Sequence, residues 1–461
     1  KKPIIIIPVA FFCHNSTFFF ILLANIQYFF YICTQNQQNI MKKLLFTTII
    51  TLFAITATSQ SVRDDLKRDI RYSASNQMAY PTPTGKLTPA PENYKPFYIS
   101  HYGRHGSRYL INPEDYNYPH EVLKSADSAG VLTPLGKDVM KRYEIIRNEA
   151  ANRYGELTPL GAEQHRQIAR RMYERFPEVF QGNVWVDAKS TVVIRCILSM
   201  TNELMELTRL NPSLRIKHDA SMHDMYYMNY NDKELLGKKW NKESQDVYDK
   251  FYNETVNCDY AFCQLFTDTS FVWRKADAKR FYEKLFHTAN NLQNLEARKQ
   301  VTLYDLFTDE DIYNNWRVAN MWWYLGYGCS KLNGGTQPYV QRNLLRRIIE
   351  EADSCIRLPK PGATLRFGHE TMVMPLTVLM GLNGSDLVTN DYEHLDQKGW
   401  VNYRIFPMGA NIQLVFYRRN TGDKEVLVKV LLNENEATLP IKSDTAPYYK
   451  WSEVRDYYIK K

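Results

Sequence analysis

Hydrophobic and polar residues are patterned in two ways along this chain, and the switch between them divides it. Phe97-Tyr98-Ile99-Ser100 reads as a short buried strand, and Val184-Trp185-Val186-Asp187 and Thr191-Val192-Val193-Ile194-Arg195 read as two more, since β-branched and aromatic residues suit a pleated, half-buried surface. Two helices open on the same phrase, Leu132-Thr133-Pro134-Leu135-Gly136 and Leu157-Thr158-Pro159-Leu160-Gly161. Thr as N-cap offers an oxygen to the free amides, and Pro in the first helical position has no amide to strand. Two copies of a phrase do not make a repeat protein. A third helix is expected from Ser199 to Leu210. Residues 97–217 therefore alternate strand and helix, the pattern of a mainly parallel sheet covered on both faces.

From roughly residue 230 to 350 the strand signals cease, and long helical stretches rich in Tyr, Trp, Lys and Asn take over. Strand character returns at Thr364-Leu365-Arg366-Phe367, a helix follows from Thr371 to Met380, and two strands, Asn411–Arg418 and Glu425–Leu432, flank Asn420-Thr421-Gly422-Asp423. Turn chemistry makes that last pair a hairpin. The expected fold is α/β: a mainly parallel sheet sandwiched by helices over 96–229 and 351–461, interrupted by an inserted α-helical cap domain over 230–350. Residues 61–95 are polar and hold Pro81, Pro83, Pro89 and Pro91, which predicts an extended lead-in.

The N-terminal sixty residues stand apart. Met41-Lys42-Lys43 and the apolar run Leu44 to Ile55 have the charged and hydrophobic regions of a secretory signal, and Ala57-Thr58-Ser59-Gln60 supplies small residues for cleavage. The expectation is a signal peptide at 41–60 and a secreted or periplasmic mature protein. Residues 1–40 carry no Met and are read as upstream leader; their apolar stretch from Phe18 to Tyr31 is short for a membrane span.

Composition adds limits. With 44% hydrophobic and 23% charged residues in 461, a sizeable core is expected. The net charge of +8 falls to +4 without Lys1, Lys2, Lys42 and Lys43. So small a surplus does not predict nucleic-acid binding, yet it tolerates an anionic small molecule. Five cysteines (Cys196, Cys258, Cys263, Cys329, Cys355) lie beyond the signal. In an oxidising compartment Cys258 and Cys263, or Cys329 and Cys355, could pair; isolated buried thiols are the equal alternative.

The chemistry concentrates at Gly103-Arg104-His105-Gly106-Ser107-Arg108, directly after the first predicted strand. Ligands of open α/β sheets bind beyond the carboxyl ends of strands, and a glycine there lets backbone amides approach a phosphate. Guanidinium groups donate paired hydrogen bonds to phosphate oxygens and keep their charge. Alone, the segment also fits an ordinary basic surface turn. A phosphoryl group in transfer needs charge neutralised on its oxygens, and its leaving alkoxide needs a proton. Arg195, at the end of a predicted strand, offers a third guanidinium, and His369-Glu370 offers a further donor and a carboxylic acid.

With those residues assembled, the chain resembles the histidine acid phosphatase branch of the histidine phosphatase superfamily. The likeness rests on Arg104–Arg108, the Leu157–Gly161 phrase with Gln164, Arg195 within Ile194-Arg195-Cys196-Ile197-Leu198-Ser199, and Gly368-His369-Glu370-Thr371. Within the family it is most similar to the multiple inositol polyphosphate phosphatases, through Ser107-Arg108-Tyr109 and Pro407-Met408-Gly409-Ala410-Asn411. The resemblance implies a metal-independent phosphomonoesterase without cofactor, acting on a small-molecule phosphomonoester such as phytate and needing no protein partner. It implies His105 as nucleophile forming phosphohistidine, Arg104, Arg108, Arg195 and His369 as phosphate-binding residues, and Glu370 as proton donor. Family members commonly carry His-Asp or His-Ala-Glu there, so Glu370 directly after His369 is a departure. Alternatives are a general or sugar-phosphate acid phosphatase, a phosphoglycerate mutase-like transferase, and a non-catalytic binder of phosphorylated ligands. Three nearby arginines are expected to keep His105 neutral in acid, where Glu370 is more often protonated.

Other features carry ordinary readings. His218-Asp219 and His223-Asp224 lack a third ligand at metal spacing, and Gly130 to Lys137 fails the P-loop spacing. Trp316, Trp322, Trp323 and Tyr324 fit a helix core better than a sugar-stacking platform. Lys238, Lys239 and Lys242 fit a solvated helix face, with contact to a polyphosphate as the competing role.

Overall fold

The computed structural model describes residues 61–461, which form one compact unit; the expected leader and signal peptide lie outside the described residues. Among the described residues, no helix is long and apolar enough to cross a membrane. The chain does not open with the extended lead-in expected from its prolines. Helix α1 (Val62–Arg68) and a 3-10 stretch (Ile70–Gln77) come first, and only residues 78–94 run without a helix or strand. Ser61 accepts a hydrogen bond from the Asp64 amide at 3.2 Å, so a short capped helix forms where proline counting pointed to extended chain. Val62, Leu66, Ala74 and Met78 are buried.

The sheet then begins with β1 (Lys95–Arg104), followed by α2 (Glu114–Ser128), α3 (Pro134–Ala150) and α4 (Pro159–Arg175). Thr133 and Thr158 cap α3 and α4, accepting from Gly136 and Gly161 amides, with Pro at the first helical position as expected. Strand β2 (Trp185–Ser190) runs three residues past the expected Val184–Asp187. The expected strand at 191–195 is instead a turn, and α5 (Ile194–Leu210) starts within it. Exposed Val192 and Ile194 are 41% and 69% accessible, so this run of β-branched residues lines no core and has no strand to join. Strand β3 (Arg215–Asp219) follows.

All regular elements from Met222 to Cys355 are helical. The longest are α6 (Lys242–Thr255), α7 (Ala278–Leu292), α8 (Asp309–Tyr327) and α9 (Arg342–Cys355). These helices do not keep a core to themselves. Residues of α7 and α8 pack with α2 and α3 in one apolar cluster, whereas α8 and α9 share another with β1 and the C-terminal strands.

Strand β4 (Gly362–Gly368) is buried throughout and leads into α10 (Glu370–Met380). It lies between β1 and β2, parallel to both, in a sheet ordered β3-β2-β4-β1 on that side. Beyond β1 the sheet turns antiparallel: β5 (Asn411–Arg418) and β6 (Leu427–Leu432) form the expected hairpin, with short pairings of β6 to β7 (Asn435–Glu436) and β8 (Tyr449–Lys450). The parallel character thus belongs to half of a mixed sheet. A third apolar cluster packs α4 and α5 against one face of the strands. Two adjacent parallel strands, β1 and β4, end side by side at Arg104 and Gly368.

Candidate active site

That shared strand end brings residues 263 positions apart into contact: the His105 amide donates to the Gly368 carbonyl at 3.0 Å. The loop after β1 is seated on the start of α4, where Thr158 donates to Ser107 O through its amide at 2.9 Å and its hydroxyl at 3.1 Å. The contact is backbone on backbone. A Cβ on Gly106 would meet Gly161 O at 2.5 Å, and one on Gly161 would meet Ser107 O at 2.2 Å. Both glycines are therefore required by close approach, which explains why the signature and the Leu157–Gly161 phrase occur together.

His105 is fully buried. Its Nδ1 lies 2.9 Å from the Gly106 carbonyl, which accepts from it and so leaves Nε2 as the ring's basic nitrogen. Nε2 has no hydrogen-bond partner and lies 3.4 Å from Glu370 Oε2. Glu370 Oε2 also sits 3.2 Å from Arg104 Nε, and Oε1 4.0 Å from Arg108 Nη2. Arg104 is fully buried and is anchored from behind, where Nη1 donates to the carbonyls of Asn76 and, at 3.0 Å, Phe406. Its Nη2 and Nε make no hydrogen bond, nor do Arg108 Nε and Arg195 Nε. Buried unpaired donors of this kind are costly. Here they converge on one spot, as an anion-binding cradle requires.

Arg195 reaches this region from the first turn of α5 rather than from a strand end. Its field acts on His105, Arg104, Arg108 and His369. His369 caps α10 without a side-chain cap bond; its ring centroid is 5.9 Å from that of His105, and its Nε2 is 3.2 Å from Thr191 Oγ1. All six residues singled out in the sequence, His105, Glu370, Arg104, Arg108, Arg195 and His369, thus meet at one site.

Burial first, and Arg104 and Arg195 further, hold the His105 imidazole well below the usual histidine range, although Glu370 opposes them. The same causes, led by burial, bring His369 down to about 4. Both rings are neutral bases. Glu370 differs from expectation. Burial alone would raise its pKa, but the Arg104 guanidinium first, and Arg108 beside it, hold it well below the carboxylate range. Without substrate these guanidiniums favour its ionised form.

Further residues hold the frame. Gly106 N donates to Ser199 Oγ at 3.2 Å, and Ser199 Oγ donates to Arg195 O at 2.8 Å, which ties the signature to α5. Ser107 is bracketed by Gln164, which accepts from its amide and donates to its hydroxyl, both at 2.8 Å. That hydroxyl donates to Asn294 Oδ1 at 2.6 Å. Asn290, Asn291, Gln293 and Asn294 are all buried at the end of α7. Four buried amides in five positions are expensive unless they serve partners, a signal the sequence reading did not use.

His105, His369 and Glu370 each offer a ligand atom, all within 4.8 Å of one another. Three guanidiniums surround them, however, which disfavours a metal cation and favours an anion. His218 and His223, exposed on β3 and the turn after it, do not join a three-ligand group among the described residues.

A cradle of buried guanidiniums around a neutral histidine, at the end of a parallel strand pair, has the parts that phosphoryl transfer through a histidine requires. The sequence profile of the histidine phosphatase superfamily (branch 2) matches residues 216–433. Those residues include His369 and Glu370; the Arg104–Arg108 signature lies before them. Over 162 residues the chain is 25% identical to multiple inositol polyphosphate phosphatase 1 of Gallus gallus, a match covering 33% of this chain and 35% of that protein. Its fold matches the multiple inositol polyphosphate phosphatase of Bifidobacterium longum, solved with inositol hexasulfate, with a TM-score of 0.62 and 18% identity over 84% of this chain and 97% of that one. The phytase of D. castellii matches with a TM-score of 0.61 and 16% identity, covering 85% of each chain.

Proposed function

We propose that the protein is a phosphomonoesterase that works through a phosphohistidine and takes inositol polyphosphates such as phytate. The observation that carries the reading is a buried His105 Nε2 without a hydrogen-bond partner, at a site where guanidinium nitrogens of Arg104, Arg108 and Arg195 likewise make no hydrogen bond. Similarity to inositol polyphosphate phosphatases supports the substrate class.

In this mechanism the substrate phosphate takes the seat that Glu370 occupies between Arg104 and Arg108. Its negative charge offsets the guanidiniums, so the carboxylate loses the partners that keep it ionised and takes up a proton. His105 Nε2 then attacks phosphorus while the bond to the ester oxygen breaks. Glu370 gives its proton to that oxygen, and the arginines and His369 hold the equatorial oxygens. In the second half, Glu370 as carboxylate accepts a proton from water, which attacks phosphohistidine and releases phosphate with neutral His105. The atoms balance as ester plus water giving alcohol plus phosphate. Export through the segment at 41–60 completes the proposal and places the enzyme outside the cytoplasm.

The test is a panel of phytate, a sugar phosphate and an aryl phosphate, with inorganic phosphate measured in the absence of any phosphoryl acceptor. Release from phytate at the highest kcat/KM is expected. Release only when an acceptor alcohol is supplied would make the protein a transferase, and a preference for the sugar phosphate would move the substrate class.

A further inference from the structure

The two carbonyls that hold Arg104 from behind come from distant stretches of chain, and both stretches are fixed by one side chain. Arg104 Nη1 carries two N–H groups, and the carbonyls of Asn76 and Phe406 take one each. A guanidinium is planar, so two bonds on Nη1 fix the plane in which Nε and Nη2 lie, and Nε is the atom 3.2 Å from Glu370 Oε2. Asn76 follows Ser75, whose φ of 56° and ψ of −127° belong to the first central position of a type II′ turn, a place that glycine fills without strain and a Cβ resists. Ser75 is buried, and Asn402 Nδ2 donates to its Oγ at 2.6 Å.

Asn402 is fully buried and opens a one-turn helix, Asn402–Ile405. Its backbone carbonyl accepts from the Phe406 amide at 3.0 Å, so the residue that supplies the second carbonyl hangs from it as well. Its own place is set by α8: Trp316 Nε1 donates to Asn402 Oδ1 at 3.1 Å, and the Asn402 amide donates to Asn320 Oδ1 at 2.9 Å. Oδ1 also accepts from the Tyr403 amide at 2.7 Å. The two stretches meet once more where the Met408 amide donates to the Met78 carbonyl at 2.8 Å. A buried amide and a strained backbone both cost stability; here both stand directly behind one guanidinium of the cradle.

We propose that Asn402 is a positioning residue for the reaction: it holds Ser75 in its left-handed turn and Phe406 at the end of its helix, and so aims the carbonyls of Asn76 and Phe406 at Arg104. Asn402 touches no reacting atom and acts through Arg104. Because Trp316 and Asn320 belong to α8, the helical region sets the plane of a cradle guanidinium that β1 supplies. This rests on the proposed reading of Arg104 as a phosphate-binding residue.

The test uses the full mature chain, with Kd for inorganic phosphate from calorimetry, kcat on phytate, and Tm to show that each variant is folded at the assay temperature. Ser75→Ala keeps the Cβ that the turn resists and loses the hydroxyl that Asn402 holds, whereas Ser75→Gly loses hydroxyl and strain together. In Ser75→Ala the phosphate Kd rises about tenfold and kcat falls about tenfold, and Ser75→Gly recovers both to within about threefold of wild type. Asn402→Ala, which also frees Phe406, loses more than Ser75→Ala in both; should it not fold, the Ser75 pair decides. Equal phosphate Kd in Ser75→Ala and Ser75→Gly, or a Ser75→Ala whose Tm falls while Kd and kcat keep their wild-type values, would overturn the inference. Wild-type protein that binds phosphate, with these differences in Kd among the variants, but leaves phytate intact would overturn the substrate reading alone. Wild-type protein that does not bind phosphate at millimolar concentration would overturn the phosphate-site reading and this inference with it.

Discussion

Two histidines four residues apart, one on β1 and one just past its end, have opposite fates, and the contrast shows what makes one of them a reagent. His101 and His105 are both buried, and both have basicity depressed chiefly by burial. His101 points to the face covered by α4 and α5, packing 5.5 Å from Phe367, with neither nitrogen hydrogen-bonded. Gly103 accommodates its ring, since a Cβ there would come within 2.6 Å of it. Arg366, the guanidinium near it, lowers its pKa further. His105 sits past the strand end, with one nitrogen fixed by a backbone carbonyl and the other facing guanidiniums and a carboxylate. Burial makes both rings neutral; only the second has a defined tautomer and somewhere for an anion to go.

The sharpest way to break the contrast is to remove each imidazole. His105→Ala is expected to lower kcat on phytate by at least about 10⁴-fold, as loss of a nucleophile does; single-turnover phosphate release would measure it, and a variant retaining a tenth of wild-type activity would end the phosphohistidine mechanism. Next in size, Glu370→Gln should cost roughly 10²–10⁴ in kcat on phytate, whose alkoxide needs a proton, and far less on an aryl phosphate with an acidic phenol. Equal losses on the two substrates would remove Glu370 from the proton-donor role.

His101 should answer in stability instead of rate. Its folded pKa of about 3 lies below the ordinary 6.5, so its contribution is complete above pH 6.5 and is lost as pH falls toward 3, when the unfolded chain takes up a proton that the folded one refuses. At pH 4 this is worth about 3 kcal/mol. His101→Leu should therefore show a smaller fall in Tm between pH 7 and pH 4 than wild type while retaining turnover, and parallel Tm curves would discount the idea. The smallest effect expected is that of EDTA, less than twofold on kcat/KM, because the arginines around His105, His369 and Glu370 disfavour a metal cation; strong inhibition reversed by a divalent ion would contradict this.

Much of this was legible from residue pattern. The β5 strand matches its expected bounds, and the two Thr-Pro helices begin where their caps place them, because both signals are local and need no tertiary partner. Arg195 was expected at the end of a strand that does not form: Val192-Val193-Ile194 has the composition of a strand but no neighbour to pair with. The capped helix at 62–68 was hidden by the prolines that follow it. Among site residues, those bearing charge or imidazole could be found from chemistry, whereas Asn76, Phe406, Gly155 and Thr191 act through a carbonyl or a single hydroxyl and leave no mark in composition. The ionised state of Glu370 could not be read either, since it depends on Arg104 and Arg108, which come within about 4 Å of it only in the fold.

The position of β4 in the sheet has a consequence for biosynthesis. β1 and β2 are made early, yet they touch only through β4, which emerges more than 170 residues after β2. At ribosomal speeds of about 5–20 residues per second, the gap between them stays open for roughly ten to thirty seconds. During that time the apolar faces of both strands need shelter, and the helices of the insertion, made in the same interval, are the parts of the chain that emerge beside them. Any nascent chain released before Gly368 lacks the strand that closes the sheet as well as the acid of the site, so truncation products should be aggregation-prone as well as inactive.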